Sequence, residues 1–248
     1  MDKFIILGSG NSHGVPMIDG SWGNCDKKNK KNNRTRCSAA IIKGSNTILI
    51  DTSPDIKNQF LRNKIKTLDS IIYTHEHADH WLEIPVLYSA VRHYVMCGEI
   101  PVYGTQGTLE LAKNMCPALE EAFVWNIIAD GSTQTIGDQH WKWSRTDHYV
   151  ETMASRVDIG DSSFVFTADT GPNWDITKLG ENVSLAISES TFLACREHEG
   201  ILHLSARQAG QLASKINADH LVLSHLAPGE EEDQHLEQAS KILKDIIF

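Results

Sequence analysis

The sequence has little cysteine, no long apolar run and no surplus of positive charge, and each shortage closes a class of function. Five cysteines in 248 residues (Cys25, Cys37, Cys97, Cys116 and Cys195) are odd in number and scattered. They argue against a disulfide framework and for a reducing, cytoplasmic setting. No stretch approaches the roughly twenty apolar residues that a membrane span requires. The opening Met1-Asp2-Lys3-Phe4-Ile5-Ile6-Leu7 moves from charge straight into a short apolar run, which reads as a first strand and not as a secretory leader. With 23 Lys+Arg against 32 Asp+Glu the net charge is −9, so the chain lacks the broad basic face with which proteins grip nucleic acid through its phosphates. Internal repeats and low-complexity segments are absent as well.

What is present is a globular composition, 41% apolar and 22% charged, at a length that suits one domain over residues 1–248. Strand-length runs recur in the first half: Phe4–Leu7, Ala39–Ile42, Thr47–Ile50, Ser70–Tyr73, Ile100–Tyr103 and Val124–Ile128. Gly44-Ser45-Asn46 and Gly160-Asp161 read as hairpin turns, and Thr108–Met115 as helix. Leu185–Ser188 and Leu221–Leu223 read as buried strands. Between them Ser205 and Gln208 form a capping-box start for a helix with Ala206, Ala209, Leu212, Ala213 and Ile216 on one face. A final amphipathic helix is expected from about Asp233 to Ile246. One segment stands apart: Lys27 to Arg36 carries six basic residues in ten, either a solvated loop or an anion-facing one.

Histidine is the residue in excess, twelve in all. Thr74-His75-Glu76-His77-Ala78-Asp79-His80 directly follows the apolar run Ser70–Tyr73. A strand thus delivers three imidazoles and a carboxylate to a sheet edge, and these are the ligand types favoured by zinc and manganese at hydrolytic sites.

The H-x-H-x-D-H pattern resembles the signature of the metallo-β-lactamase superfamily. Further elements follow in the family's order: His148 in Arg145-Thr146-Asp147-His148, Asp169 in Thr167-Ala168-Asp169-Thr170-Gly171, and His225 in Leu223-Ser224-His225-Leu226. The resemblance implies a four-layer αβ/βα sandwich of two mixed β-sheets with flanking helices. It implies two divalent metal ions, Zn²⁺ or Mn²⁺, one held by His75, His77 and His148 and the other by Asp79, His80 and His225. Asp169 bridges them, and Asp51 supports the site from behind. Seven protein ligands leave room for a bridging hydroxide, which Asp79 and Asp169 help to orient.

Leu202-His203-Leu204-Ser205, 22 residues before His225, is similar to the region of RNase Z and PhnP-type phosphodiesterases in which an extra histidine acts on the leaving group. Ser188-Glu189-Ser190-Thr191-Phe192 resembles an RNase Z segment. Gly8-Ser9-Gly10 with Gly14-Val15-Pro16 resembles the PhnP opening, and no Gly/Pro/Lys-rich arm interrupts His80 to His148. The resemblance therefore implies a phosphodiesterase of small, including cyclic ribosyl, phosphodiesters, with His203 as general acid. RNA 3′ processing and thioester or lactone hydrolysis are the alternatives. The expected partner is a small diester, with no membrane and no large nucleic acid, and a homodimer is left open. Two departures stand out. Only Cys25 remains where PhnP-type proteins carry three cysteines, so no structural zinc is expected with Cys37, and Glu83 replaces a common glycine. His13, in the opening glycine loop, is the unassigned histidine expected to face the pocket.

Overall fold

The computed structural model describes residues 3–93, 99–229 and 232–247. Met1 and Asp2 of the opening run, and Cys97, fall outside the described residues. The chain divides into two compact units, Met1–Ser12 with Thr35–Ile128 and His13–Arg34 with Ala129–Phe248.

The first unit is built on a six-stranded mixed sheet whose strands follow chain order. β1 (Lys3–Gly8), β2 (Ser38–Lys43) and β3 (Asn46–Ile50) pair antiparallel. From β3 onward, β4 (Ser70–Ile72), β5 (Ile100–Gly104) and β6 (Phe123–Ile127) run parallel. Parallel neighbours need crossovers. These are α1 (Ile56–Asn63), then α2 (Ala78–Trp81) with α3 (Ile84–His93), then α4 (Gln106–Met115). Leu49, Ile71, Tyr73 and Val102 of the sheet segment bury against Phe60, Trp81, Leu87 and Leu109 of the helices, and this core holds the ends of β3 and β4 in place.

The second unit carries a seven-stranded mixed sheet in the order β13-β12-β11-β10-β9-β8-β7. β7 (Thr133–Ile136), β8 (Gln139–Arg145), β9 (Met153–Ile159) and β10 (Ser162–Phe166) are antiparallel. β10, β11 (Leu185–Glu189), β12 (His220–Ser224) and β13 (Ile246–Ile247) are parallel. The crossover from β11 to β12 is α5 (Ala206–Lys215). It begins at the expected capping box, the Ser205 side chain accepting from the Gln208 N–H and the Gln208 side chain accepting from the Ser205 N–H. Its Ala206, Ala209, Leu212 and Ala213 pack on Val165, Ala186 and Leu221. Two mixed sheets with flanking helices are the fold class the sequence led us to expect.

Three elements differ from the sequence reading. β7 gave no signal because three of its four residues are exposed on the sheet's edge, so no apolar alternation marks it. The short helix α1 also went unread. The final helix, expected to reach Ile246, is α6 (Glu232–Ser240) and stops six residues earlier. Ile246 instead pairs with Leu221, and the Leu221 N–H donates to the Asp245 carbonyl at 3.1 Å. Ladder bonds on the edge of β12 thus replace helical ones that would have carried the chain past the sheet. Among the described residues no helix is long and apolar enough to cross a membrane.

Candidate active site

In the first unit, β3 and β4 end side by side and each releases polar residues. Asp51 follows β3 and is fully buried. Its Oδ1 accepts the Thr74 N–H at 2.8 Å, and its Oδ2 accepts the Thr74 hydroxyl at 2.8 Å and meets His80 Nδ1 at 2.6 Å. Burial pushes the Asp51 carboxyl up, and the His80 and Thr74 contacts oppose that rise. Thr74 also lies 2.9 Å from His75 Nδ1. The loop closes as α2 begins: the His80 N–H donates to the His77 carbonyl at 2.9 Å, and Trp81 Nε1 donates to the Glu76 carbonyl at 2.7 Å. His75 and His77 rings sit edge to face at 4.7 Å, with donor atoms within 4.8 Å of each other. His80 Nε2 lies 3.4 Å from Asp79 Oδ2. All four donors of the motif therefore gather at one strand end. Glu83 takes the departed glycine's place ahead of α3, where its carbonyl accepts the Val86 N–H at 3.1 Å.

In the second unit, four strand ends contribute. The loop after β8 carries His148, whose Nδ1 meets the Leu202 carbonyl at 2.9 Å. Asp169 follows β10, and its backbone carbonyl accepts the Thr146 hydroxyl at 2.8 Å. His225 follows β12, its Nδ1 3.0 Å from the Thr191 hydroxyl. Asp169 Oδ2 stands 3.9 Å from His148 Nε2 and 3.4 Å from His225 Nε2, so one carboxylate faces both imidazoles. Burial lowers the His148 pKa against the pull of Asp169, which favours the neutral ring that a metal needs. His203 stacks on His225 with ring centroids 5.4 Å apart, and donor atoms of Asp169, His203 and His225 lie within 4.8 Å of one another.

The donors were named from the sequence, but what fixes His203 was not. Its ring is bound through Nδ1 to Glu189 Oε1 at 2.9 Å. Glu189 ends β11 and is buried, and its oxygens also accept from the Thr170 N–H (2.7 Å), the Leu204 N–H (3.1 Å) and the Thr191 hydroxyl (2.7 Å). The signal for Glu189 was the resemblance of Ser188-Glu189-Ser190-Thr191-Phe192 to an RNase Z segment, which does not say which ring the carboxylate holds. Thr191 links Glu189 to His225, which joins the histidine stack into one hydrogen-bonded group. His13 is exposed, and Lys27, Lys28, Lys30 and Lys31 are exposed while Arg34 is buried.

Three residues at these strand ends, Asp51 (φ 62°), Ala168 (φ 52°) and His225 (φ 58°), adopt the left-handed conformation. Each costs about 1–2 kcal/mol relative to ordinary backbone. The turn it makes directs a donor, or the residue beside one, off the end of a parallel strand. Strain of this kind concentrates at functional sites.

The residues present fit divalent metal ions. His80, His148 and His225 each have Nδ1 engaged by a carboxylate, a carbonyl or a hydroxyl, and His75 Nδ1 faces a hydroxyl, so that Nε2 is the outward donor. That is the support metal-bound histidines receive. The Nε2-to-carboxylate separations of 3.4–3.9 Å are long for hydrogen bonds and suit donors arranged around an ion.

Known proteins share this fold. The chain is 25% identical over 188 residues to the probable metallo-hydrolase YhfI of Bacillus subtilis, covering 74% of this chain and 76% of that one. YhfI's crystal structure superposes with a TM-score of 0.84 at 21% identity, over 100% of this chain and 95% of that one. A diphosphatase of the PhnP family superposes with a TM-score of 0.81 at 22% identity, over 99% and 94%. The ribonuclease Z of Bradyrhizobium sp. (strain ORS 278) is 31% identical over 261 residues, covering 80% of this chain and 86% of that one. A 38% match over 113 residues to a Porphyromonas gingivalis octanoyltransferase spans 45% of this chain but only 22% of that much longer protein. The family model for the beta-lactamase superfamily domain matches residues 46–226, which run from the start of β3 to just past His225. With that match spanning well over half of its length, the chain belongs to the beta-lactamase superfamily.

Proposed function

We propose that the protein is a two-metal hydrolase of small phosphodiesters. His75, His77 and His148 would hold one divalent ion, Asp79, His80 and His225 the other, and Asp169 would serve both. The nitrogen and oxygen donors suit Zn²⁺ and Mn²⁺ alike. When bound, such a pair supplies Lewis acidity to the phosphoryl oxygens and a water of lowered pKa. Asp51 and Thr74 hold the imidazoles behind the first set of donors. Asp79 and Asp169 orient what those donors bind.

The observation that carries the reading is the Glu189–His203 pair. The donor set alone serves any ester, whereas an imidazole beside the donors, backed by a buried carboxylate, is what a poor alkoxide leaving group needs. With Nδ1 on the carboxylate, Nε2 is the atom that hands a proton to the leaving oxygen, and Glu189 stabilises the positive ring before transfer. The test is a screen of the metal-reconstituted protein over cyclic and linear phosphodiesters, thioesters and lactones. Turnover of diesters that collapses in His203→Ala is expected. Thioester or lactone turnover with no diester cleavage would sink the reading.

One observation favours a second reading, RNA 3′ processing: the 31% identity to a ribonuclease Z. It calls for cleavage of a tRNA precursor with steep salt dependence. The charge of −9 favours the small substrate.

A further inference from the structure

We infer that His235 is a positioning residue of this site: from α6 it holds Ser190, and through Ser190 it sets the segment on which both His203 and His225 hang. This rests on the reading of His203 as the acid and of His225 as a metal donor.

Of the histidines outside the proposed donor set and acid, His235 alone is buried. Its Nδ1 meets the Ser190 hydroxyl at 2.9 Å, and solvent reaches neither residue. Two apolar side chains would fill the same space without the cost of desolvating an imidazole and a hydroxyl. What the polar pair adds is direction, because a hydrogen bond fixes an angle that apolar packing leaves loose.

Ser190 stands between two residues that touch the histidine stack. Glu189, before it, meets His203 Nδ1 at 2.9 Å through Oε1. Thr191, after it, donates its hydroxyl to Glu189 Oε2 at 2.7 Å and lies 3.0 Å from His225 Nδ1. Glu189 and Thr191 thus face the rings, while Ser190 faces α6.

α6 grips this segment twice. One turn on from His235, Gln238 Oε1 accepts the Ala194 N–H at 2.8 Å. Ala239, four positions from His235 and on the same buried face, presses on α5. A Cβ on Gly210 would come within 3.2 Å of the Ala239 carbonyl oxygen. α5 starts just past His203 at the Ser205 cap, so α6 is fixed to the helix that follows the acid. The remaining bonds of the segment are made by backbone. The Ser190 N–H donates to the Ser224 carbonyl at 2.9 Å, the Ala227 N–H to the Thr191 carbonyl at 3.3 Å, and the Ala206 N–H to the Phe192 carbonyl at 2.9 Å. The His235 bond anchors a side chain on the face opposite Glu189 and Thr191. There it resists the tilt that would swing both away from the rings.

The experiment compares the wild type with Ser190→Ala, His235→Leu, the double variant, and His235→Asn, whose amide stands near the position of Nδ1. Zn²⁺ affinity, read by chelator competition without turnover, should fall roughly tenfold in Ser190→Ala and in His235→Leu, and no further in the double variant. His235→Asn should recover most of that loss. At saturating metal, kcat on methyl phenyl phosphate should fall about tenfold in Ser190→Ala and His235→Leu, against about twofold on methyl p-nitrophenyl phosphate. The poorer leaving group depends more on an aligned acid, whereas a general loss of stability lowers both rates alike. Losses that add in the double variant, Zn²⁺ affinity unchanged by Ser190→Ala, or equal losses on the two esters overturn the assignment. If His235→Leu does not fold, Ser190→Ala must show the loss and His235→Asn must escape most of it, or the assignment fails. If no diester is cleaved, the proposed function fails, and the chelator arm still decides whether His235 positions His225.

Discussion

The Glu189 carboxylate and the His203 imidazole, fourteen positions apart, meet at 2.9 Å, with Glu189 buried and His203 one-fifth exposed. One partner is locked by three further hydrogen bonds and the other is partly exposed. That asymmetry separates a group that orients from a group that reaches substrate.

It yields the first prediction. His203→Ala should retain bound metal and lose roughly 10²- to 10⁴-fold in kcat on bis(p-nitrophenyl) phosphate. Glu189→Gln should lose a smaller share, with the alkaline limb of its pH profile displaced to lower pH, because the ring loses the charge that helps it keep its proton. Metal content by elemental analysis alongside rates checks both. A drop in metal matching the drop in rate would move His203 into the ligand set.

Asp51 touches His80 and Thr74 and faces no open site, so it acts through the ring it holds. Asp51→Asn leaves the shape and removes the charge. Metal affinity, read by competition with a chelator, should fall about 10- to 100-fold. Unchanged affinity would mean that the His80 ring is held by its surroundings alone.

Gly171 sits where a Cβ would lie 2.8 Å from the Asp147 carbonyl oxygen and 3.1 Å from Leu202 Cα. The nearest atom, Asp147 Oδ2 at 2.7 Å, is a side chain, but these two are backbone, and both belong to segments that hold His148. Gly171→Ala should therefore cost about 1–3 kcal/mol in stability, and weaken metal binding. At roughly 2–4 °C per kcal/mol the shift is visible in a thermal melt. A variant as stable as wild type would show that these loops yield freely.

Glu197 holds the loop before α5 through Ser205 and Arg207. Burial raises its pKa, but the Arg207 and Ser205 bonds outweigh it and the net shift is downward from 4.5. A carboxylate depressed in the folded state stabilises above its unfolded pKa, and that stability is lost as pH falls through the folded value. Glu197→Gln should thus be less stable than wild type at neutral pH, with the gap closing below about pH 4.5. Chemical denaturation at pH 7 and pH 3.5 checks the sign, and a gap that widens in acid contradicts it.

Legibility followed locality. His75, His77, Asp79 and His80 could be read because one strand end carries them within six positions. His148, Asp169 and His225 were found only because each ends a strand-like run in a known family order. Elements with an apolar stripe or a cap, such as α5, were legible. The exposed edge strand β7 was not, nor was the end of α6, where pairing with β12 overrides helical periodicity.

By itself the sequence determined the donor types, their grouping at strand ends and the sign of the chain's charge, because these depend on residue identity and short-range spacing. Tertiary structure alone decided that Glu189 backs His203, that Asp51 backs His80, and that Gly171 must lack a side chain. Each depends on hydrogen bonds or close approaches between segments far apart in the chain. A buried carboxylate must find its donors wherever the sheet brings them, and no local pattern records which ones those are.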